Sequence, residues 1–122
     1  MNHPLANDRQ EFGAQGEISL FRIAALPAGL IPLTDRDKQG RPIIGHSESG
    51  HHHVLDRPVE VLEHPNPPAG MRILYALLDA PAALIQDADT PHAPHDLPAG
   101  TYEFRIAREY DPFAEQARLV AD

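Results

Sequence analysis

Thr101-Tyr102-Glu103-Phe104-Arg105-Ile106-Ala107-Arg108 carries the pattern that decides the fold class of this chain. Tyr102, Phe104 and Ile106 fall on one side of an extended backbone, and Thr101, Glu103 and Arg105 fall on the other. That alternation predicts a half-buried strand. Turn chemistry bounds it, with Leu97-Pro98-Ala99-Gly100 before it and Glu109-Tyr110-Asp111-Pro112 after it. A last short strand over Ala117 to Val120 is expected to pair back on it as a hairpin.

Working upstream, Met71 to Asp79 (MRILYALLD) reads as a strand apolar on both faces, and Ala82 to Gln86 (AALIQ) as another after a turn at Pro81. A helix over Leu77 to Ile85 is the rival reading, and Pro81 in its middle opposes it. Val59 to His64 alternates and is stopped by Pro65 to Gly70. Arg41 to His46 and His51 to Asp56 form a predicted hairpin beyond the polar turn Thr34 to Gly40. Glu17 to Ala25, rich in Ile, Leu and Phe, predicts a buried strand ending near Pro27. With 13 prolines and 8 glycines, no helical pattern runs much beyond about ten residues, whereas short strands fit between the breaks. The expectation is an all-β, single-domain sandwich or small barrel over 17–122, preceded by a loose, flexible N-terminal arm over 1–16 that Phe12 anchors.

At 122 residues the chain suffices for one ordinary core. Apolar residues make up 42% and charged residues 23%, as in globular proteins. Ten Lys and Arg stand against 18 Asp and Glu, a formal charge of -8, and the absence of any basic block argues against nucleic acid as a partner. No apolar run of about 18 residues exists and the first residues are polar, so no membrane segment is expected and a cytoplasmic location is. Cysteine is absent. A metal would therefore have to use His, carboxylate, Tyr oxygen or water.

The chemistry concentrates in Gly45-His46-Ser47-Glu48-Ser49-Gly50-His51-His52-His53-Val54-Leu55. In an extended chain His51 and His53 share one face and His52 takes the other, and the apolar Val54-Leu55 commits the segment to a strand. A second pair, His92 and His95, lies in Thr90-Pro91-His92-Ala93-Pro94-His95. Four imidazoles suit a divalent transition metal, zinc foremost, with iron, manganese or nickel as alternatives. The competing reading makes both segments solvated loops. His46 would lie about 17 Å from His51 in an extended chain, so a turn is needed to bring it in. His64, before Pro65, reads as a surface residue. Glu48 is a candidate general base on metal-bound water, and Tyr102 a weaker catalytic candidate. Arg108 is a candidate to hold an anionic ligand near the metal while Tyr110 or Tyr102 closes the pocket, against the plainer reading of an edge-strand ion pair with an aromatic cover.

The spacing of Gly45, His51 and His53 resembles the opening of the first cupin motif, in which one strand of a small β-barrel supplies two metal-binding histidines. The resemblance covers about a dozen residues. It departs from the family where Val54 to Val59 separate the histidines from Glu60, and where Pro98-Ala99-Gly100 would place Glu103 rather than histidine in the second motif. Since Tyr102 and Phe104 are the core residues of that strand, Glu103 points away and His92 with His95 is the preferred second pair. Most of the chain also resembles small, functionally uncharacterised bacterial proteins that share Gly50 to His53, His92 and His95, Ala99 to Tyr102, and Arg108 to Tyr110. That resemblance implies one shared histidine site and names no reaction.

The leading expectation is a metal-binding β protein with a mononuclear site at His51, His53, His92 and His95. Three protein ligands and an open position would make it a metal-dependent enzyme on a small polar substrate, and four would close it as a structural staple. The alternative class is a non-enzymatic protein-interaction or self-assembly module, with homo-oligomers as the partner state and a structural metal or none. A histidine pH sensor is a third.

Overall fold

A computed structural model describes residues 9–46, 51–87 and 93–107. It is all-β, and among the described residues there are ten strands and no helix. They are β1 (Gln10–Gln15), β2 (Ile18–Arg22), β3 (Ile31–Pro32), β4 (Ile43–Gly45) and β5 (His53–Leu55). Then follow β6 (Val61–Glu63), β7 (Met71–Leu78), β8 (Ala82–Gln86), β9 (His95–Leu97) and β10 (Gly100–Ala107). Every pairing is antiparallel, in a larger sheet ordered β1-β2-β10-β7-β6-β3 and a smaller one ordered β4-β5-β8-β9.

The alternating Thr101 to Arg108 segment becomes the centre of the larger sheet, because β10 is paired along its length to β7 and on its other side to β2. Tyr102, Phe104 and Ile106 face inward with Ile18 and Leu20 of β2, Leu74, Ala76 and Leu78 of β7, and Val61 of β6. Ile44, Leu55, Ala82, Leu84 and Leu97 meet them from the smaller sheet, which makes one continuous apolar layer between the two. Burying Phe104 or Leu84 fully in that layer stabilises the fold by about 1.5–3 kcal/mol apiece.

Two short crossings join the sheets at one end. Leu78 leads through Asp79 to Pro81 into Ala82, and Leu97 leads through Pro98-Ala99 into Gly100. The ladder partners Leu78↔Gly100 and Ala82↔Leu97 place both crossings side by side. Gln86 and His53, paired to each other, lie at the opposite end of the smaller sheet.

The outer face of the larger sheet is covered around Glu103. Glu103 lies on the face opposite Tyr102 and Phe104, as the alternation predicts, yet it is 3% exposed. Its Oε1 accepts from Arg9 Nε at 2.7 Å and Arg105 Nε at 2.8 Å, and its Oε2 accepts from the buried Tyr75 hydroxyl at 2.9 Å. Both guanidinium groups lie over the Phe21 ring, at 5.5 and 5.9 Å from its centroid. Burial pushes the Glu103 carboxyl up, but the hydrogen bonds from Arg105, Tyr75 and Arg9 outweigh it and hold it below its ordinary value. The same burial and the neighbouring carboxylate push Tyr75 up to about 12.

The structure departs from the expected 1–16 arm at Gln10. From there the chain is an edge strand paired to β2, and the Gly16-Glu17 connection between them turns with Gly16 at φ 58, the left-handed value that a tight hairpin places on glycine. The alternation is hidden in the sequence because the register shifts between Glu11 and Gly13, a β-bulge. Phe12 does pack against the core. The predicted hairpin of Arg41 to His46 with His51 to Asp56 is present as β4 and β5, with Ile43 opposite Val54. No helix covers Leu77 to Ile85, since Pro81 separates two strands there. The strand expected over Ala117 to Val120 lies outside the described residues.

Candidate functional site

The site is built where β1 of the larger sheet meets β5, β8 and β9 of the smaller one. Ladder pairs set which side chains share a face. Leu55↔Leu84 and Leu84↔His95 are direct partners, so His95 lies on the core-facing side with those leucines, and by the period of two so do His53 and Gln86. The sequence pairs of histidines are therefore each half represented. His53 and His95, both half-buried, flank β8 on the inner face, while His51 precedes the first residue of β5 and is exposed. His51 lies two residues before the start of β5, and its backbone carbonyl lies 3.5 Å from Gln86 Nε2.

Gln15 reaches His53 from the larger sheet. It is 3% exposed, the last residue of β1, and it bridges the sheets. Its amide nitrogen donates to Leu84 O at 2.8 Å and to Ala93 O at 2.9 Å, and its Oε1 lies 2.7 Å from His53 Nδ1. His95 stacks at 5.4 Å on Phe12, which in turn meets Tyr102 edge-on at 5.4 Å. The imidazole approaches so closely to Gly13 that a Cβ there would overlap His95 Nε2, which is why β1 carries glycine at this point.

His52 meets His46 edge-on with ring centroids 4.8 Å apart. His46 Nε2 lies 3.1 Å from Asp35 Oδ2. His46 thus lies against the histidine triplet, with His52 as its neighbour. His64 is half-buried and accepts from the Asn66 backbone N–H at 3.0 Å through Nδ1, beside a cavity of about 200 Å³ lined also by Glu63, Met71 and Arg72. Tyr102 is fully buried, its hydroxyl donates to Pro98 O at 2.6 Å, and burial raises its pKa against the opposing charge of Arg22. That hydroxyl is committed to holding the Pro98 turn. Glu48, His92, Arg108 and Tyr110 lie outside the described residues. Among the described residues no three His, Asp or Glu side chains are grouped as a metal-ligand set.

Gln15 is the participant that sequence reasoning missed. A glutamine in a polar segment carries no periodic signal, and only the following Gly16 marks the turn that places it.

A family model, Domain of unknown function (DUF8820), matches residues 14–107. The chain belongs to this family. The matched stretch begins one residue before Gln15 and ends with β10, so in this DUF8820 domain it contains Gln15, the histidine triplet, His92 and His95 together. No curated protein and no solved structure gives a significant match. No helix among the described residues is long and apolar enough to cross a membrane.

Proposed function

We propose that this DUF8820 domain is a small metal-binding β protein whose centre lies at the end of the sandwich marked by His53 and His95. The observation that supports it is their shared placement on the inner face, on the two strands flanking β8, with the buried Gln15 amide on His53. Imidazole nitrogens with no cysteine in the chain favour zinc, with iron, manganese or nickel as alternatives. His51 and His92, adjacent to this pair in sequence, are proposed to complete the ligand set. If the ion keeps one position for water, it supplies a nucleophile near neutral pH and the domain acts as an enzyme on a small polar substrate. In that reading Glu48 serves as base, Arg108 holds an anionic group of the ligand, and Tyr110 closes the pocket.

Elemental analysis of untagged protein tests the proposal. About one equivalent of metal in the parent and none in a His53→Ala, His95→Ala double variant is the expected result. A parent that takes up no zinc, iron, manganese or nickel on reconstitution would sink it. A second reading, a self-assembly or docking module, draws on Leu77, which is 64% exposed on the outer face of β7. Sedimentation of the metal-free parent as a monomer at all concentrations would remove the self-assembly form of that reading.

A further inference from the structure

We infer that the cavity at the loop end of the β6–β7 hairpin is a binding site for a free α-amino acid with an apolar side chain, Glu63 taking its ammonium group and Arg72 its carboxylate. The cavity shares no lining residue with the His53 and His95 pair, so the inference stands or falls apart from the metal reading.

Two opposite charges face this one space without neutralising each other. Glu63 is the ladder partner of Leu74, which makes Arg72, two residues earlier on β7, its diagonal neighbour on the same face, about 7–8 Å away and within reach of a long side chain. Both residues are half-buried and both line the cavity. Yet no ion pair joins them, and among the described residues neither side chain has a hydrogen-bond partner. Withdrawing each charge part of the way from water carries a cost that its opposite neighbour does not offset. A molecule with an ammonium and a carboxylate on one carbon offsets both at once, whereas a simple anion or a simple cation offsets one.

The remaining walls define the rest of the ligand. Met71, Ile73 and Pro67 present apolar surface to the same space. Its volume of about 200 Å³ lies below the roughly 300–1,000 Å³ of pockets that take drug-sized molecules, which suits a single amino acid with a short apolar side chain. These walls are set before a ligand arrives. His64 N–H donates to Ile73 O at 2.9 Å, Met71 N–H to Pro68 O at 3.2 Å, and Asn66 N–H to His64 Nδ1 at 3.0 Å, so the connecting loop is tied at both ends and little order has to be gained on binding. Because Nδ1 accepts in that bond, the ring hydrogen is on Nε2, and His64 adds a donor to the cavity wall for the carboxylate.

Amide ¹⁵N–¹H spectra of the full-length protein titrated with L-leucine test the inference, beside two probes that each lack one charge: 4-methylpentanoate, without the ammonium, and 3-methylbutylamine, without the carboxylate. The expected result is a set of leucine-dependent shifts centred on residues 63–73, with an affinity about tenfold or more above that of either probe. Glu63→Gln should weaken leucine about tenfold and leave 4-methylpentanoate unchanged, and Arg72→Gln should weaken both. The unchanged acid in the first variant shows that its hairpin is still folded. No shifts in that stretch at millimolar leucine would overturn the inference. So would 4-methylpentanoate binding as tightly as leucine, or a Glu63→Gln protein with leucine affinity equal to the parent.

Discussion

Replacing Glu103 by Gln removes the charge at the centre of the outer-face network while keeping the side-chain shape. The carboxylate accepts three hydrogen bonds, two on Oε1 and one on Oε2. An amide in its place offers one oxygen and turns an N–H₂ group towards a donor. The Tyr75 bond is buried at both ends, and a bond of that kind to a charged acceptor contributes about 1.5–3 kcal/mol. The arginine bonds contribute less, under about 1 kcal/mol each, because the Arg9 and Arg105 side chains are 43% and 29% exposed and water screens them. The expected loss is therefore about 2–4 kcal/mol at neutral pH. Urea unfolding followed by far-ultraviolet circular dichroism measures it, since the chain has no tryptophan to report. The direction of the pH dependence follows from the depressed carboxyl. Its stabilisation is complete above the ordinary value of 4.5, and it is lost as pH falls below 4.5 through the lower folded-state value, because the unfolded carboxyl takes up its proton first. The gap between parent and Glu103→Gln should accordingly close in acid. A variant within about 0.5 kcal/mol of the parent at neutral pH, or a gap that widens on acidification, would refute the reasoning.

Three further outcomes are expected. Gly13→Ala places a methyl group on the His95 ring, so a shifted His95 resonance should accompany a modest loss of stability; an unmoved His95 signal contradicts the close approach. Tyr102→Phe loses the 2.6 Å bond to Pro98 O and should cost about 0.5–1.5 kcal/mol in urea unfolding with metal content unchanged, whereas loss of metal would give that hydroxyl a role in the centre. Phe104→Ala, in the fully buried layer, should destabilise by about 3–5 kcal/mol, and a loss under about 1 kcal/mol would mean that the inter-sheet core is loosely packed.

The strands that the sequence discloses are those with enough residues for a period of two to register. Thr101 to Arg108 and Met71 to Asp79 became β10 and β7 almost to the residue, and Ala82 to Gln86 became β8. The missed strands each hide their period. β1 is interrupted by its bulge, β3 has two residues, and β9 has three wedged between Pro94 and Pro98. Alternation placed Glu103 on the right face but not in the right environment, since its burial depends on Arg9, which is distant in sequence, and on Tyr75 of the neighbouring strand. The histidines were legible as a cluster by residue type alone. Which of them belong to the strand depended on where β5 starts, and the segment His51-His52-His53 does not say that its last member is the first residue of β5. Gln15 was beyond reach because its importance comes from two carbonyls that only the folded topology delivers.

The position of β10 has a consequence for how the chain is made. It is the third strand of six in the larger sheet, lying between β2 and β7, and it is the last strand of the described chain to be synthesised. A nascent chain that has emerged only as far as β9 can form the β1–β2 hairpin and the β6–β7 pair, but nothing joins them, and the apolar inner faces of both stay wet. Contacts such as Arg9 with Glu103 close a loop of most of the domain, the kind of long-range pairing that slows folding. This domain should therefore acquire its structure only once the final strand is at hand, in one cooperative step whose trigger is the arrival of β10.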